Sequence, residues 1–375
     1  IKKANYERSQ TMKKILIIGM SNDCGGIENY ILNLCEHLDS NKYKMDFLVK
    51  EELKGEFKKR VLNLKGDIVE TGIFKKNIIG VYKKISEIYR NGHYDMVYIN
   101  LSYAPTMIYA LPAMKYDIPI YIHSHASDDI RKLKHLIFRK LFFGMFSYHN
   151  YRFLGCSEDS CKWMFGNKKM NQKGYCIINN AVDYERYKYA EEKRNKIRNL
   201  FCLEQKFVVG HVGRFSPEKN HVFILQTFKQ FLLSKNNAIL MLVGTGELES
   251  EIKKEAKDMG IYNKIVFVGR VSDTSEYYSA MDCFWLPSLY EGFPIVAIEA
   301  QTSGLKCLIS DNIDKSVDIL GDNKFLSIKD QNVWIAETIN ICNKENYNRD
   351  INPGLLYEKE YELSAQAKKI ERIFG

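Results

Sequence analysis

The sequence predicts an α/β chain built from two doubly wound parallel sheets. Three observations predict it. Short apolar runs alternate with amphipathic segments along almost the whole chain. The alternation stops at a charged stretch near residue 190 and then begins again. Several apolar runs also end in glycine-containing turns that open a helical pattern. At 375 residues the chain exceeds a usual single core, so two domains are expected.

In the first series, strands are expected at Lys14–Gly19, Lys44–Val49, Asp67–Glu70, Met96–Asn100, Ile118–Ile122, Phe153–Cys156 and Cys176–Ile178. Glu28–Leu38 reads as an amphipathic helix with Ile31, Leu34, Cys35 and Leu38 on one face. The polar stretch Glu185–Asn199 carries no strand pattern and reads as a linker joined to a helix. Strands resume at Phe207–Val212, Ile239–Val243, Ile265–Val268, Cys283–Leu286 and Cys307–Ser310. Helices fit His221–Leu233, Glu247–Met259, Thr274–Met281, Ile295–Thr302 and Val333–Cys342. A last helix, Glu358–Phe374, has no strand after it. Residues Ile1–Thr11 precede Met12-Lys13-Lys14 and read as a leader or expression remnant.

Composition narrows the class. Hydrophobic residues make up 45% of the chain, enough for globular cores. No apolar run reaches the ~18 residues of a membrane span. Nine cysteines are scattered without C-x-x-C pairs, and Cys35, Cys283 and Cys307 sit in apolar settings. Reduced thiols and a cytoplasmic location are expected. No His, Cys or Asp cluster has metal-ligand spacing. The net charge of +9 divides unevenly, with +13 in residues 1–200 and −4 in residues 201–375. A basic half suits an anionic membrane surface or nucleic acid. No zinc finger, RNA-recognition signature or recognition helix supports nucleic acid. The run Arg131–Phe143 is both basic and apolar, so part of it reads as core and part as a membrane-facing surface.

The chemistry concentrates at strand ends. Glu291 and Glu299 stand eight residues apart, with Gly292, Phe293 and Pro294 between them. Gly292 permits a sharp bend, and Pro294 suits the first turn of a helix. The N–H groups of Phe293 to Val296 then form an anion-binding helix end with two carboxylates beside it. Strand Phe207–Val212 runs into Gly213-Arg214-Phe215-Ser216-Pro217-Glu218-Lys219-Asn220. Arg214 offers a planar fork of donors there and Lys219 a mobile point charge, both suited to phosphate. Gly25-Gly26, Gly244-Thr245-Gly246 and Gly269-Arg270-Val271 are further strand-end turns that admit close backbone approach. His123 and His125 end an expected strand at the edge where α/β sheets place ligands.

Taken with Leu286-Pro287-Ser288-Leu289-Tyr290 before it, the Glu291–Glu299 segment resembles the Glu-x7-Glu motif of the retaining glycosyltransferases of family 4, the group 1 glycosyltransferases. Gly213–Asn220 resembles the same family's Gly-Arg…Glu-Lys-Asn segment, and Asn179-Asn180-Ala181-Val182-Asp183 its Asn-Gly-Val-Asp hinge approach, with Ala181 in place of glycine. The resemblance covers nearly all of Met12–Gly375. It implies the GT-B architecture, two Rossmann-like domains facing a cleft. Residues 12–190 would bind the acceptor and 191–354 the nucleotide-sugar, while 355–375 would cross back onto the first domain.

The resemblance also implies roles. Glu291, His125, Arg214 and Lys219 are the expected catalytic residues. Arg214 and Lys219 would hold the donor diphosphate, Glu291 the reacting sugar and Glu299 the ribose hydroxyls. Gly25, Gly26, Gly246, Val271, Gly292, Phe293 and Pro294 would complete the donor site. A UDP-sugar is the expected donor and a glycan or lipid-linked hydroxyl the acceptor, with no metal and no cofactor. Front-face displacement is the expected route, with a covalent carboxylate intermediate as the second. The pattern looks like bacterial capsule or exopolysaccharide enzymes, peripheral on the inner membrane face. Two other readings stay open here: a catalytically silent nucleotide-sugar binder, and a basic nucleic-acid-binding α/β protein.

Overall fold

A computed structural model describes residues 12–22, 26–72, 78–125, 136–137, 139–140, 151–166, 174–271, 273–291, 293–344 and 348–375. The chain divides into two compact units, residues 1–180 with 363–375, and residues 181–362. The expected junctions were 190/191 and 354/355. The reason for the difference is local. Val182 N–H donates to Tyr361 O at 2.9 Å, and Val182 forms an isolated parallel bridge with Glu362. Segment 181–190 therefore belongs with the second unit, where Arg186 also pairs with Asp273.

Unit 1 holds a seven-stranded sheet: β1 (Lys13–Ile18), β2 (Tyr43–Val49), β3 (Ile68–Glu70), β4 (Met96–Leu101), β5 (Ile120–Ser124), β6 (Tyr151–Gly155) and β7 (Cys176–Ile177). Their spatial order is β3-β2-β1-β4-β5-β6-β7, and each recorded pair is parallel. β1 and β4 are near-continuous apolar runs because both of their faces are covered. Helix α1 (Gly26–His37) covers one face through Tyr30, Ile31, Leu32, Leu34 and Cys35. The last helix, Leu363–Phe374, joins that same face, with Ala367, Ile370 and Phe374 in the core. The Phe374 ring meets Tyr43, Tyr98 and Tyr121 at 4.8 to 6.0 Å.

Unit 2 holds a six-stranded sheet: β8 (Phe207–Val212), β9 (Ala238–Val243), β10 (Ile265–Gly269), β11 (Cys283–Leu286), β12 (Cys307–Ser310) and β13 (Lys324–Leu326). Its order is β10-β9-β8-β11-β12-β13, again parallel throughout. β13 was not expected, because three residues flanked by polar side chains give no apolar run. The expected helix Glu358–Phe374 begins only at Leu363, and a separate short helix, Pro353–Glu358, ends where it was expected to start. Glu360 adopts positive φ (61°) between them, where the chain stops to form the bridge with Val182. The charged stretch after Asp183 forms two helices, Tyr184–Tyr187 and Glu191–Leu200.

One electrostatic device holds the back of unit 2. The short helix Ser275–Ala280 ends with carbonyls that lack intrahelical partners. Arg194 donates to Ser279 O, Ala280 O and Met281 O, Arg198 to Ala280 O, and Arg349 to Tyr278 O, Ser279 O and Met281 O. Arg194 and Arg198 also share the Asp282 carboxylate at 2.6 and 2.5 Å. Three cations at a helix C-terminus match its dipole. They line a cavity of about 480 Å³ at the N-terminal end of the strands, and most of their donors are already in use. That cavity is accordingly a clamp rather than a ligand site. Arg198 is buried, so Arg198→Ala leaves the half-buried Asp282 carboxylate with Arg194 and takes the donor from the carbonyls of Ala280, Leu203 and Lys206. The expected loss is about 3 kcal/mol of unfolding free energy. Urea melts check it; an unchanged midpoint would show that the clamp carries no stability.

Candidate functional site

In unit 2 the site begins with backbone packed on backbone. Gly213 N–H donates to Val243 O, Phe215 N–H to Thr245 O and Leu248 N–H to Phe215 O, each at 3.0 Å. A Cβ at Gly244 would lie 2.0 Å from Gly213 O, and one at Gly246 would lie 2.4 Å from Phe215 O. The turn after β9 thus props the turn after β8, and Gly246 is committed to that contact. From the propped turn Arg214 extends into solvent, its side chain 70% exposed and its Nε 3.1 Å from Glu247 Oε2.

Lys219 ends a single 3-10 turn, Pro217–Lys219, and Asn220 follows in the left-handed conformation. Asn220 Nδ2 donates to Pro287 O at 3.2 Å, and Leu289 N–H donates to Glu218 O at 2.8 Å. The loops after β8 and β11 are laced together in this way. The lacing brings Lys219 Nζ to 2.5 Å from Glu291 Oε1, with both side chains about 14% exposed. Ser288 Oγ donates to the same oxygen at 2.8 Å. Residues 72 apart in sequence therefore share one half-dry ion pair.

Glu299 lies on the helix Ile295–Thr302. The helix has the expected bounds, and Pro294 is its N-cap. Phe293 is buried and stacks on Tyr361, with centroids 5.9 Å apart. Gly292 lies outside the described residues. Tyr278 OH donates to Glu299 Oε2 at 2.7 Å. Burial pushes the Glu299 carboxyl up, and the hydroxyls of Tyr278 and Tyr187 with the Arg186 guanidinium pull it back. Glu299 thus enters the site already oriented by two tyrosines. Val271 is half-buried just beyond Gly269, which takes a positive φ of 81°.

Sequence reasoning did not give Ser288 a role, and it missed Glu247, Tyr187 and Tyr278. Ser288 stood inside the quoted segment, three residues before Glu291. The tyrosines come from distant helices and carry no local signal.

In unit 1, His125 follows β5, and its Nε2–H donates to Asn100 Oδ1 at 2.9 Å. His123 is fully buried, shares a hydrogen bond between its Nδ1 and Tyr98 OH (2.6 Å) and stacks on His125 at 4.2 Å. His123 is therefore packing, while His125 is the half-buried member of the pair. Burial pushes His125 down to about 3, so its ring is neutral. Gly26 is the exposed first residue of α1, and Gly25 lies outside the described residues. So does most of Arg131–Phe143; within it Leu136 and Ile137 are exposed. Among the described residues no group of His, Cys, Asp and Glu is arranged to hold a metal ion, and no helix is long and apolar enough to cross a membrane.

A family model described as glycosyl transferases group 1 matches residues 192–372, and one described as Glycosyltransferase Family 4 matches residues 24–186. The chain belongs to this glycosyltransferase family. Among relatives of the glycosyltransferase, the putative glycosyltransferase EpsF of Bacillus subtilis is 29% identical over 345 residues, 88% of each chain. The capsular polysaccharide biosynthesis glycosyltransferase CapM of Staphylococcus aureus is 29% identical over half of each chain. The crystal structure of Anabaena HepE in complex with UDP-glucose has a TM-score of 0.77 at 17% identity, covering 96% of this chain and 99% of that one. The lipopolysaccharide glycosyltransferase WaaG gives 0.70 at 12% identity, covering 96% and 99%. Both structures bear on the fold, which is the two-sheet GT-B fold.

Both units of the glycosyltransferase bury neutral imidazoles. His123 is held well below its ordinary value, and burial pushes His211 down to about 4 and His221 to about 2. The unfolded chain titrates near 6.5, so it takes up protons first as pH falls. Stability present at pH 7 is then lost below about pH 6.5 and continues to fall toward pH 4. Each fully buried ring is expected to cost about 2 kcal/mol between pH 7 and pH 5. Urea midpoints across that span measure it, and a flat profile would contradict neutral burial.

Proposed function

We propose that the chain is a retaining, metal-independent glycosyltransferase. It moves a sugar from a UDP-sugar to a hydroxyl of a lipid-linked glycan in surface polysaccharide synthesis. The observation that carries this reading is the Lys219–Glu291–Ser288 cluster, with Arg214 on the adjoining turn. It combines cations for a diphosphate with an oriented carboxylate for a sugar. Family membership supports the reaction class, and the name of CapM supports the pathway. HepE bound to UDP-glucose supports the donor base.

The bond between the anomeric carbon and the diphosphate oxygen breaks while the acceptor oxygen bonds to the same face. The acceptor's proton passes to the leaving phosphate oxygen. Negative charge grows on the diphosphate as the bond breaks. Arg214 and Lys219 stabilise it more in the transition state than in the ground state, which is what accelerates the step. Glu291 binds the reacting sugar, and Glu299, set by Tyr278 and Tyr187, takes the ribose hydroxyls. His125, neutral and fixed by Asn100, is the residue that unit 1 contributes to the reaction.

Arg214→Ala and Lys219→Ala are each expected to lose roughly 2–4 kcal/mol of transition-state stabilisation. The early product, read by NMR, is expected to keep the donor's anomeric configuration and to form in excess chelator. An inverted product, or parental rates in both variants, refutes this assignment.

The same reading places the enzyme against an anionic bilayer, reversibly. The motivation is the +13 charge of residues 1–200 and the exposed Leu136 and Ile137 within the basic run. Each basic side chain near such a surface adds about 1 kcal/mol, within a Debye length. Sedimentation with anionic liposomes should show binding at low salt that high salt reverses. Equal partitioning onto neutral vesicles would point to a soluble acceptor.

A further inference from the structure

His211 stands near the C-terminal end of β8 and is fully buried. Its Nδ1 lies 2.8 Å from Trp285 O. A carbonyl can only accept, so Nδ1 carries the proton and Nε2 keeps a bare lone pair. The His221 ring meets His211 edge-on, with centroids 5.0 Å apart. This contact is not a hydrogen bond, because both His221 nitrogens and His211 Nε2 are buried without a partner. A buried polar atom left unpaired is rare in folded proteins and calls for a reason.

Gly213 shows what Nε2 faces. Gly213 does not take a positive φ, so its backbone would accept a side chain. Space forbids one. A Cβ there would lie 2.9 Å from His211 Nε2 and 3.4 Å from Lys219 Cδ. The missing methyl group leaves a notch, with the imidazole acceptor on one side and the lysine stem on the other. Trp285 and His221 hold the imidazole still. Lys219 is the part that can turn, because its stem is flexible.

An ammonium group has three N–H donors. Lys219 gives one to Glu291 Oε1 at 2.5 Å and has no second acceptor among the described residues. A diphosphate oxygen would take another. The last N–H needs an acceptor that orients the charge without cancelling it. A neutral nitrogen does this, and a second carboxylate would not. Burial, and after it the charge of Lys219, keeps the His211 ring neutral.

We propose that His211 is a positioning residue for Lys219: when a diphosphate draws the ammonium toward Gly213, His211 Nε2 accepts its remaining N–H. The inference rests on the donor reading above, in which Lys219 meets the diphosphate, and adds the residue that fixes it there. The ammonium is then held on three sides, by a carboxylate, a phosphate oxygen and an imidazole.

The test uses the full chain with UDP as the probe. Calorimetry measures the UDP dissociation constant of the parent, His211→Asn, Lys219→Ala and the double variant. Asparagine keeps a donor for the Trp285 carbonyl and removes the acceptor at the Nε2 position. His211→Asn is expected to weaken UDP binding about ten-fold, the scale of losing a hydrogen bond to a charged group. It is expected to cost nothing more once Lys219 is alanine, because it acts through that side chain. By ring-nitrogen NMR on labelled histidine, the His211 Nε2 resonance of the parent should move upfield at saturating UDP. In Lys219→Ala it should stay in place. A histidine that only packs would weaken both backgrounds equally and show no shift. Either of those results, or parental UDP affinity in His211→Asn, overturns the proposal. If the melting curve shows that His211→Asn does not fold, the resonance of the parent decides alone. If UDP does not bind the parent, or binds Lys219→Ala as tightly, the donor reading falls and the proposal falls with it. An unmoved resonance with Lys219-dependent UDP binding sinks the proposal only.

Discussion

The constraint on which unit 2 depends is the contact between two turns that leave no room for a side chain. Gly244 and Gly246 touch the backbone of Gly213 and Phe215, and three backbone hydrogen bonds close the contact. A methyl group at either glycine would have to displace peptide atoms, which cannot yield as a flexible side chain does. Everything after β8 inherits this placement: the direction of Arg214, the 3-10 turn, and the left-handed Asn220 that ties the segment to Pro287. Glycine here serves a protein–protein backbone approach. Its position near a ligand site follows from parallel-sheet geometry, in which such turns gather at the C-terminal strand ends.

The ion pair built on that frame has an electrostatic consequence. The charge of Lys219 is balanced by Glu291 at 2.5 Å. Neither charge is left bare in a partly dry place, which would be costly. Arg214 lies largely in water on the adjoining turn, paired with Glu247, while Lys219 is held in the half-dry pair. The carboxylate is meanwhile oriented by Lys219 Nζ and Ser288 Oγ.

How much of this was legible in the sequence follows from the range of the forces involved. Continuous apolar runs such as Leu240–Val243 and Phe284–Leu286 declare buried parallel strands, because both faces need covering. Lys324–Leu326 does not declare itself, since its pairing is decided by β12 rather than by its own side chains. Glu291, Arg214 and Lys219 were readable because strand-end turns concentrate their chemistry in a few adjacent residues. Tyr278 and Tyr187 were not, because they meet Glu299 only after separate helices pack. His211 looked like one more strand residue until its burial and the notch at Gly213 were visible. The break between Glu358 and Leu363 was hidden for the same reason: an amphipathic pattern continues through residues that a distant bridge at Val182 pulls out of helix.

The helix Leu363–Phe374 completes the core of a unit whose other strands all precede residue 180. During synthesis the ribosome delivers the whole of unit 2 before this helix emerges. The first unit must therefore wait, with the groove meant for Phe374 between Tyr43, Tyr98 and Tyr121 open to water, while the second unit, contiguous in the chain, is free to fold first. A single crossing of the chain thus makes the amino-terminal unit the last to complete its core. Nascent copies stalled before residue 363 would present an apolar groove, a natural target for chaperones and proteases.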